Sequence, residues 1–180
     1  MEPEVMVLLS GGVDSTACVD FYMEFGRPPC GLFLNYGQPA AAQEMRSATA
    51  VAQHYAIPLI HLKLQARRPK TPGLIPGRNC FLIAAALMER PPSVSVIAIG
   101  IHYGTGYADC SESFLERTQA TIDLLEPPRV HLAAPFITWT KADIYTYCYQ
   151  RRVPIELTYS CERLMCSQYA LPSLRRTSVG

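Results

Sequence analysis

Five short apolar runs alternate along the chain with five longer segments of helical spacing, and that alternation constrains the fold more than any other feature. The runs fall near 5–9, 30–35, 58–64, 94–100 and 129–134, and the helical segments near 14–25, 39–55, 78–90, 111–125 and 140–151. Apolar runs of this kind suit strands buried on both faces, and strands joined through helices pair in parallel. The expected fold is therefore α/β, an open, doubly wound, five-stranded parallel sheet. Helix ends are marked in the sequence as well: Gly26 stands where the first helix must stop, Pro39 suits the first position of the second, and Pro91-Pro92 end the third. Ligands of such sheets bind beyond the carboxyl ends of the strands, so the loops that follow the runs are the places to seek function.

Composition narrows the partners. At 180 residues the chain suits one domain of ordinary size. A net charge of +1, from 16 Lys and Arg against 15 Asp and Glu, gives no electrostatic reason to expect nucleic acid or a membrane surface, and favours a small ligand. No apolar run approaches the roughly 20 residues of a membrane span, and the N-terminus is acidic with an apolar run only from Val5 to Leu9, so a cytoplasmic protein is expected. Seven scattered cysteines in a reducing compartment read as free thiols or metal ligands.

The first run leads straight into Ser10-Gly11-Gly12-Val13-Asp14-Ser15 and on into the first helix. Backbone N–H groups and the positive end of the helix dipole converge there, which makes an anion site. Adjacent glycines remove Cβ atoms where phosphate oxygens must touch backbone, and Ser10 and Ser15 add hydroxyl donors. The loop is not a Walker A motif, because no Gly-Lys-Ser/Thr follows, nor GxGxxG, because its glycines are adjacent. It therefore lacks a lysine to neutralise a terminal phosphate. The plainer reading is a glycine turn with Asp14 or Ser15 capping the helix. The position after the first strand, the flanking serines and the acidic residue favour phosphate or pyrophosphate.

These residues resemble the SGGxDS signature of the N-type ATP pyrophosphatases, whose loop holds the departing pyrophosphate while a substrate is adenylated. Four further stretches resemble the 7-cyano-7-deazaguanine synthases and occur in that family's order: LNYGQ (Leu34 to Gln38), PGRN (Pro76 to Asn79), GYADC (Gly106 to Cys110), and TKADI (Thr140 to Ile144) with VPIELTYSC (Val153 to Cys161). The resemblance implies an adenine-nucleotide alpha-hydrolase-like fold, with an ATP-binding domain over 1–155 and a C-terminal segment over 156–180. It implies an ATP-dependent carbon–nitrogen ligase of queuosine biosynthesis that adenylates 7-carboxy-7-deazaguanine and, with ammonia, converts it through the amide to the 7-nitrile, releasing AMP and pyrophosphate. ATP and Mg²⁺ are the implied cofactors and a homodimer the implied assembly.

The same resemblance distributes roles. Ser10, Gly11, Gly12 and Ser15 suit the pyrophosphate, and Asp14 orients the loop or binds Mg²⁺. Asn35, Tyr36, Gly37 and Gln38 end the second strand, where nucleotide lies. Arg78 pairs with a phosphate or the substrate carboxylate, and with Asp14 and Lys141 forms the expected catalytic set. Asn79, Tyr107, Asp109, Cys110 and Thr140 complete the substrate side, Asp109 accepting from a guanine-like N–H edge. Plainer roles stand beside these: helix caps for Asp14 and Asp109, a tight turn at Gly37, solvated side chains for Arg78 and Lys141. Lys141 opens the last helix, a poor place for a cation beside the dipole, and that points to an anion it serves.

Three departures from the family's pattern bear on the acceptor half of the reaction. Ser160-Cys161 and Cys166 match two ligands of the family's four-cysteine zinc motif, but Tyr169 and Pro172 occupy the other positions, so no intact zinc site is expected and the two cysteines read as small packing residues. Gln38 is followed by Pro39-Ala40-Ala41 instead of a basic pair, and Ser111 stands where the family places an arginine. Two alternatives therefore remain beside the nitrile-forming ligase. One is an adenylating enzyme that hands the activated acid to another amine or stops at the amide; the other is a noncatalytic nucleotide-binding module serving a protein partner.

Overall fold

The structure, a computed structural model, describes residues 2–64, 75–125 and 130–159. Five strands, β1 (Val5–Leu8), β2 (Cys30–Asn35), β3 (Leu59–Lys63), β4 (Val96–Ala98) and β5 (His131–Ala133), form one sheet in the order β3-β2-β1-β4-β5. Every pairing is parallel, with Val7 opposite Gly31 of β2 and Ala98 of β4. Helices α1 (Val13–Glu24), α2 (Ala41–His54), α3 (Arg78–Glu89), α4 (Glu112–Leu125) and α5 (Lys141–Arg151) connect or follow the strands. The doubly wound parallel sheet expected from the sequence is the observed one.

Burial on both faces explains why β1 is apolar throughout. Val5, Val7 and Leu9 pack into one core with Ala17 of α1, Val51 of α2 and Ile144 of α5. Met6 and Leu8 point the other way, into a second core with Ile83 of α3 and Ile122 of α4. Each such side chain contributes roughly 1.5–3 kcal/mol on burial, so two cores sharing one strand fix its register firmly. Chain order reverses between β1 and β4, and that switch opens a crevice beyond the carboxyl end of the sheet.

Most ends lie where the sequence marks them. Gly26 follows α1 in the left-handed conformation, φ 66°, and α3 stops at Glu89 ahead of the proline pair. Three boundaries shift. Pro39 precedes α2 without entering it: Ala41 N–H bonds the Gln38 carbonyl in a turn, and Ala40 is the N-cap. The fourth strand is Val96–Ala98 only, because Val94 N–H turns back to the Pro91 carbonyl and the chain beyond Ala98 steps under α1. The fifth is trimmed to His131–Ala133 at the sheet edge. Past α5, a short 3-10 turn (Ile155–Leu157) leads the chain back to the glycine loop, where Tyr159 N–H donates to the Gly11 carbonyl at 2.9 Å. Among the described residues no helix is long and apolar enough to cross a membrane.

Candidate functional site

The two glycines of the first loop differ in what demands them. Gly11 has φ 80°, and a Cβ there would stand 2.5 Å from the Glu44 carbonyl oxygen and 2.8 Å from the Ala48 amide nitrogen, because α2 lies against the loop. Gly12 is extended, φ −86°, and its Cβ would meet only ordinary contacts, Ser10 Oγ at 3.5 Å and the Tyr159 carbonyl oxygen at 3.7 Å. The protein's own packing requires Gly11; it does not require Gly12.

Gly12 is also the N-cap of α1, and no side chain caps it among the described residues, so neither Asp14 nor Ser15 performs the capping that the plainer sequence reading gave them. The first-turn amides of a helix have no intrahelical acceptor. Ser10 and Ser15 close a small ring around it: Gly12 N–H donates to Ser10 Oγ at 3.3 Å, the two hydroxyls lie 3.1 Å apart, and Ser15 Oγ donates to the Gly12 carbonyl at 3.0 Å. Gly100, beyond β4, permits this close approach, since a Cβ there would fall 2.8 Å from the Asp14 backbone.

Asp14 turns toward α5. Lys141 Nζ donates to both its carboxylate oxygens, at 2.8 and 2.9 Å, across 127 positions of sequence. The anion that the misplaced lysine serves is thus Asp14, and the cation missing from the loop is delivered by another helix. A reciprocal cap holds the start of α5: Asp143 N–H donates to Thr140 Oγ1, while the Thr140 hydroxyl and then its N–H donate to the Asp143 carboxylate, at 2.7 and 2.8 Å, and pull its pKa below the ordinary value. Thr140 is thereby occupied as a helix cap. His102, buried just past β4, places Nε2 3.9 Å from the Asp14 carboxylate and Nδ1 2.7 Å from the Tyr103 carbonyl oxygen.

A cleft of about 260 Å³ opens beside the loop at the switch point. Ser10, Gly12, Asp14, Ser15, Tyr36, Gln38, Arg78 and Asn79 line it together with apolar walls from Leu8, Leu32, Leu34, Leu82, Ile99 and Ile101. Gln38 builds the turn after β2: it accepts from Tyr36 N–H at 2.9 Å and donates to the Leu34 carbonyl and the Glu44 carboxylate, at 3.1 and 2.8 Å. Asn35 accepts from Gly37 N–H at 3.1 Å in the same turn. Arg78 stands at the first turn of α3 beside Tyr36, whose hydroxyl burial pushes to a higher pKa while the guanidinium pulls it back.

Tyr107, Asp109 and Cys110 are not among the lining residues. They form the rim, tied in by Asn79, which is 2% exposed and donates to the Asp109 carbonyl at 2.9 Å. Burial raises the Cys110 thiol pKa. Asp109 does not cap α4; Ser111 does, accepting from Phe114 N–H at 3.2 Å and donating to the Ala108 carbonyl at 2.8 Å. Ser160, Cys161, Cys166, Tyr169 and Pro172 lie outside the described residues. Glu44 and His102 were not foreseen. Neither belongs to a motif, and only the packing of α2 on the loop and the end of β4 on α1 brings them to the site.

A glycine loop opening a helix, beside a cleft at the switch point of a parallel sheet in the order β3-β2-β1-β4-β5, defines the class: an adenine-nucleotide alpha-hydrolase-like α/β protein. Solved structures share the fold. NMN synthetase from Francisella tularensis superimposes with a TM-score of 0.53 and 17% identity over 86% of this chain and 63% of that one, and the NH3-dependent NAD synthetase from Campylobacter jejuni with 0.52 and 14% over 93% and 76%. The family model for queuosine biosynthesis protein QueC matches residues 4–72 and 66–169, and the chain belongs to that family. The 7-cyano-7-deazaguanine synthase of Methanoculleus marisnigri is 30% identical over 186 residues, covering 88% of this chain and 84% of its own length.

Proposed function

We propose that the chain is an ATP-dependent carbon–nitrogen ligase that adenylates 7-carboxy-7-deazaguanine and, with ammonia, carries it through the amide to 7-cyano-7-deazaguanine, as the family and the named relatives indicate. The observation that carries the reading is the convergence of uncapped helix amides, a glycine that the protein's packing does not need, and an imported lysine at one end of the cleft. Carboxylate attack at an α-phosphorus displaces pyrophosphate, and the loop amides with Ser10 and Ser15 hold that leaving group as charge develops on it. Lys141 neutralises part of the charge. Apolar walls from β1, β2 and the segment after β4 cover the adenosine side, and Arg78, between the turn after β2 and the 108–110 turn, receives the substrate carboxylate. Asn79 steadies that rim from below.

Asp14 fits Mg²⁺, a hard oxygen ligand on the cleft wall, and Mg²⁺ is commonly held by one or two carboxylates together with nucleotide phosphates. Among the described residues no cluster of three or more His, Cys, Asp or Glu is found, and Asp14 would hold the metal together with nucleotide phosphates. When bound it neutralises phosphate charge in the displacement.

Ser111 favours keeping a second reading, in which the activated acid passes to another amine or stops at the amide: both hydrogen-bonding roles of its hydroxyl go to the α4 cap, and Arg78 is the one cation lining the cleft among the described residues. Incubation of the protein with Mg-ATP, 7-carboxy-7-deazaguanine and ammonium, following AMP, pyrophosphate and product mass together, tests both. Nitrile with AMP supports the ligase, AMP with amide alone supports the second reading, and release of ADP overturns both.

A further inference from the structure

We infer that Glu44 is a positioning residue: through Gln38 and Tyr36 its carboxylate sets the aim of Arg78. Its bearing on substrate rests on the proposed function, in which Arg78 receives the substrate carboxylate. Glu44 belongs to the first turn of α2 and lines the cleft. Its main chain is fixed in place, since its N–H donates to the Ala40 carbonyl at 2.9 Å and its carbonyl oxygen lies over Gly11. From there the side chain accepts from Gln38 Nε2 at 2.8 Å, and Nε2 also donates to the Leu34 carbonyl at 3.1 Å. Both N–H groups of the Gln38 amide are thereby engaged, and its oxygen accepts from Tyr36 N–H at 2.9 Å. A flipped amide would set N–H against N–H and oxygen against oxygen, so Glu44 and the turn together fix its orientation.

Tyr36 carries the effect across the cleft. It is held at its N–H by Gln38 and at its ring by the second core, and its hydroxyl stands beside the Arg78 guanidinium. Arg78 needs such a hold. It opens α3, at the positive end of a helix dipole, and its Nε reaches the Asn79 side-chain oxygen at a long 3.4 Å. Without the Glu44 acceptor, one N–H of an amide that is only 9% exposed loses its partner. Turning that amide toward water breaks its bond to Leu34 or to Tyr36, and the turn no longer fixes the ring beside which the guanidinium lies. The link depends on reach and not on charge. Glu44→Gln keeps a carbonyl oxygen at the same distance, whereas Glu44→Asp keeps the charge and draws it back by one methylene.

Two measurements on the full chain test this, with melting temperatures expected within about 3 °C of wild type for every Glu44 variant. By NMR, the Arg78 Nε–H signal, identified by its loss in Arg78→Lys, is expected to be ordered in wild type and Glu44→Gln and mobile in Glu44→Asp and Glu44→Ala. In calorimetric titration, with Mg²⁺ and the α,β-methylene analogue of ATP present, wild type is expected to bind 7-carboxy-7-deazaguanine about tenfold or more tightly than 7-deazaguanine. Glu44→Gln is expected to keep most of that preference, while Glu44→Asp and Glu44→Ala narrow it to about threefold or less without weakening 7-deazaguanine. Should one of these two variants not fold, the other carries the test. An Arg78 signal as ordered in both as in wild type, a preference that survives in them, or a Glu44→Gln preference as low as that of Glu44→Ala overturns the inference. The NMR readout needs no substrate. Wild type without a preference for the acid, alongside an arginine that Glu44 orders, would therefore defeat the role of Arg78 in the proposed function and leave its positioning by Glu44 in place.

Discussion

Helix α1 sets its two aspartates against the two ends of α5 in opposite ways. Asp14 sits at the open end, about a quarter exposed on the cleft wall, against Lys141. Asp20 sits further along the helix, 7% exposed, and accepts from Tyr55 at 3.0 Å, Tyr147 at 2.8 Å and Arg151 Nε at 3.2 Å. Arg151 also reaches Glu24 at 3.1 Å. Burial, followed by the negative charge of Asp20, pushes both tyrosine pKa values above their ordinary range. The oxygens of Asp20 are saturated by donors from α5 and the end of α2, so it fastens three helices together and has nothing to offer a ligand. Asp14 has one strong, partly solvated cation beside a cleft. Chemistry needs the second kind of acid, and stability is better served by the first.

Mutation of each acid should separate the two roles. Asp14→Asn is expected to lower AMP release roughly a thousandfold, the scale of losing a group that stabilises developing charge, while the melting temperature moves by no more than about 3 °C because a partly exposed pair contributes little. Near-normal turnover would reduce Asp14 to a tether for α5. Asp20→Ala should show the reverse: about 3 kcal/mol of stability lost, roughly 6–12 °C in melting temperature, because buried donors are left without their acceptor. Its turnover below the melting range should stay within about threefold of wild type, and a large loss of kcat there would place Asp20 in the site after all.

The glycine pair sharpens the same distinction on a smaller scale. Gly11→Ala must fit a Cβ against the α2 backbone at positive φ, and a loss of about 2 kcal/mol or more in chemical denaturation is expected. Gly12→Ala meets only ordinary contacts, so its stability should stay within about 0.5 kcal/mol of wild type while ATP affinity falls about tenfold. Equal ATP binding by Gly12→Ala and wild type would show that nothing approaches that backbone.

Much of this frame was legible in the sequence, and what was not has a common cause. The order and type of all five strands and helices follow from runs such as Val5 to Leu9 set against segments of helical period, because burial on both faces leaves a local imprint. The loop from Ser10 to Ser15 was legible too, since glycine and serine spacing is local. Contacts across the fold leave no such trace. Nothing near Asp14 in sequence announces its bond to Lys141: the TKADI resemblance put both in one catalytic set without pairing them, and the residues themselves gave only a negative hint, a cation at the wrong end of a helix dipole. The Asp20 hub went unseen because Tyr55, Tyr147 and Arg151 are ordinary residues on ordinary helices until α2 and α5 pack beside α1. The plainer reading of Asp109 was the cap of α4, and Ser111 stood as a lost arginine; a 3-10 turn over Ala108–Cys110 carries the cap on to Ser111.

The smallest expected effect probes the hub by its pH dependence. Tyr147→Phe removes one of three donors and leaves Asp20 paired with Tyr55 and Arg151, so a loss of about 1 kcal/mol is expected near neutral pH. Tyrosine is neutral when protonated, and its pKa here is raised on folding above the ordinary value of 10. Below that value folded and unfolded chains hold the same proton; above it the unfolded chain releases the proton first, and the stabilisation drains away as pH climbs toward the folded value. Wild type should therefore lose stability faster than Tyr147→Phe above about pH 10, and the gap between their denaturation midpoints should close. A gap that stays constant from neutral pH to about pH 11 would mean that the Tyr147 hydroxyl ionises alike in both states, and Asp20 would then be held chiefly by Arg151 and Tyr55.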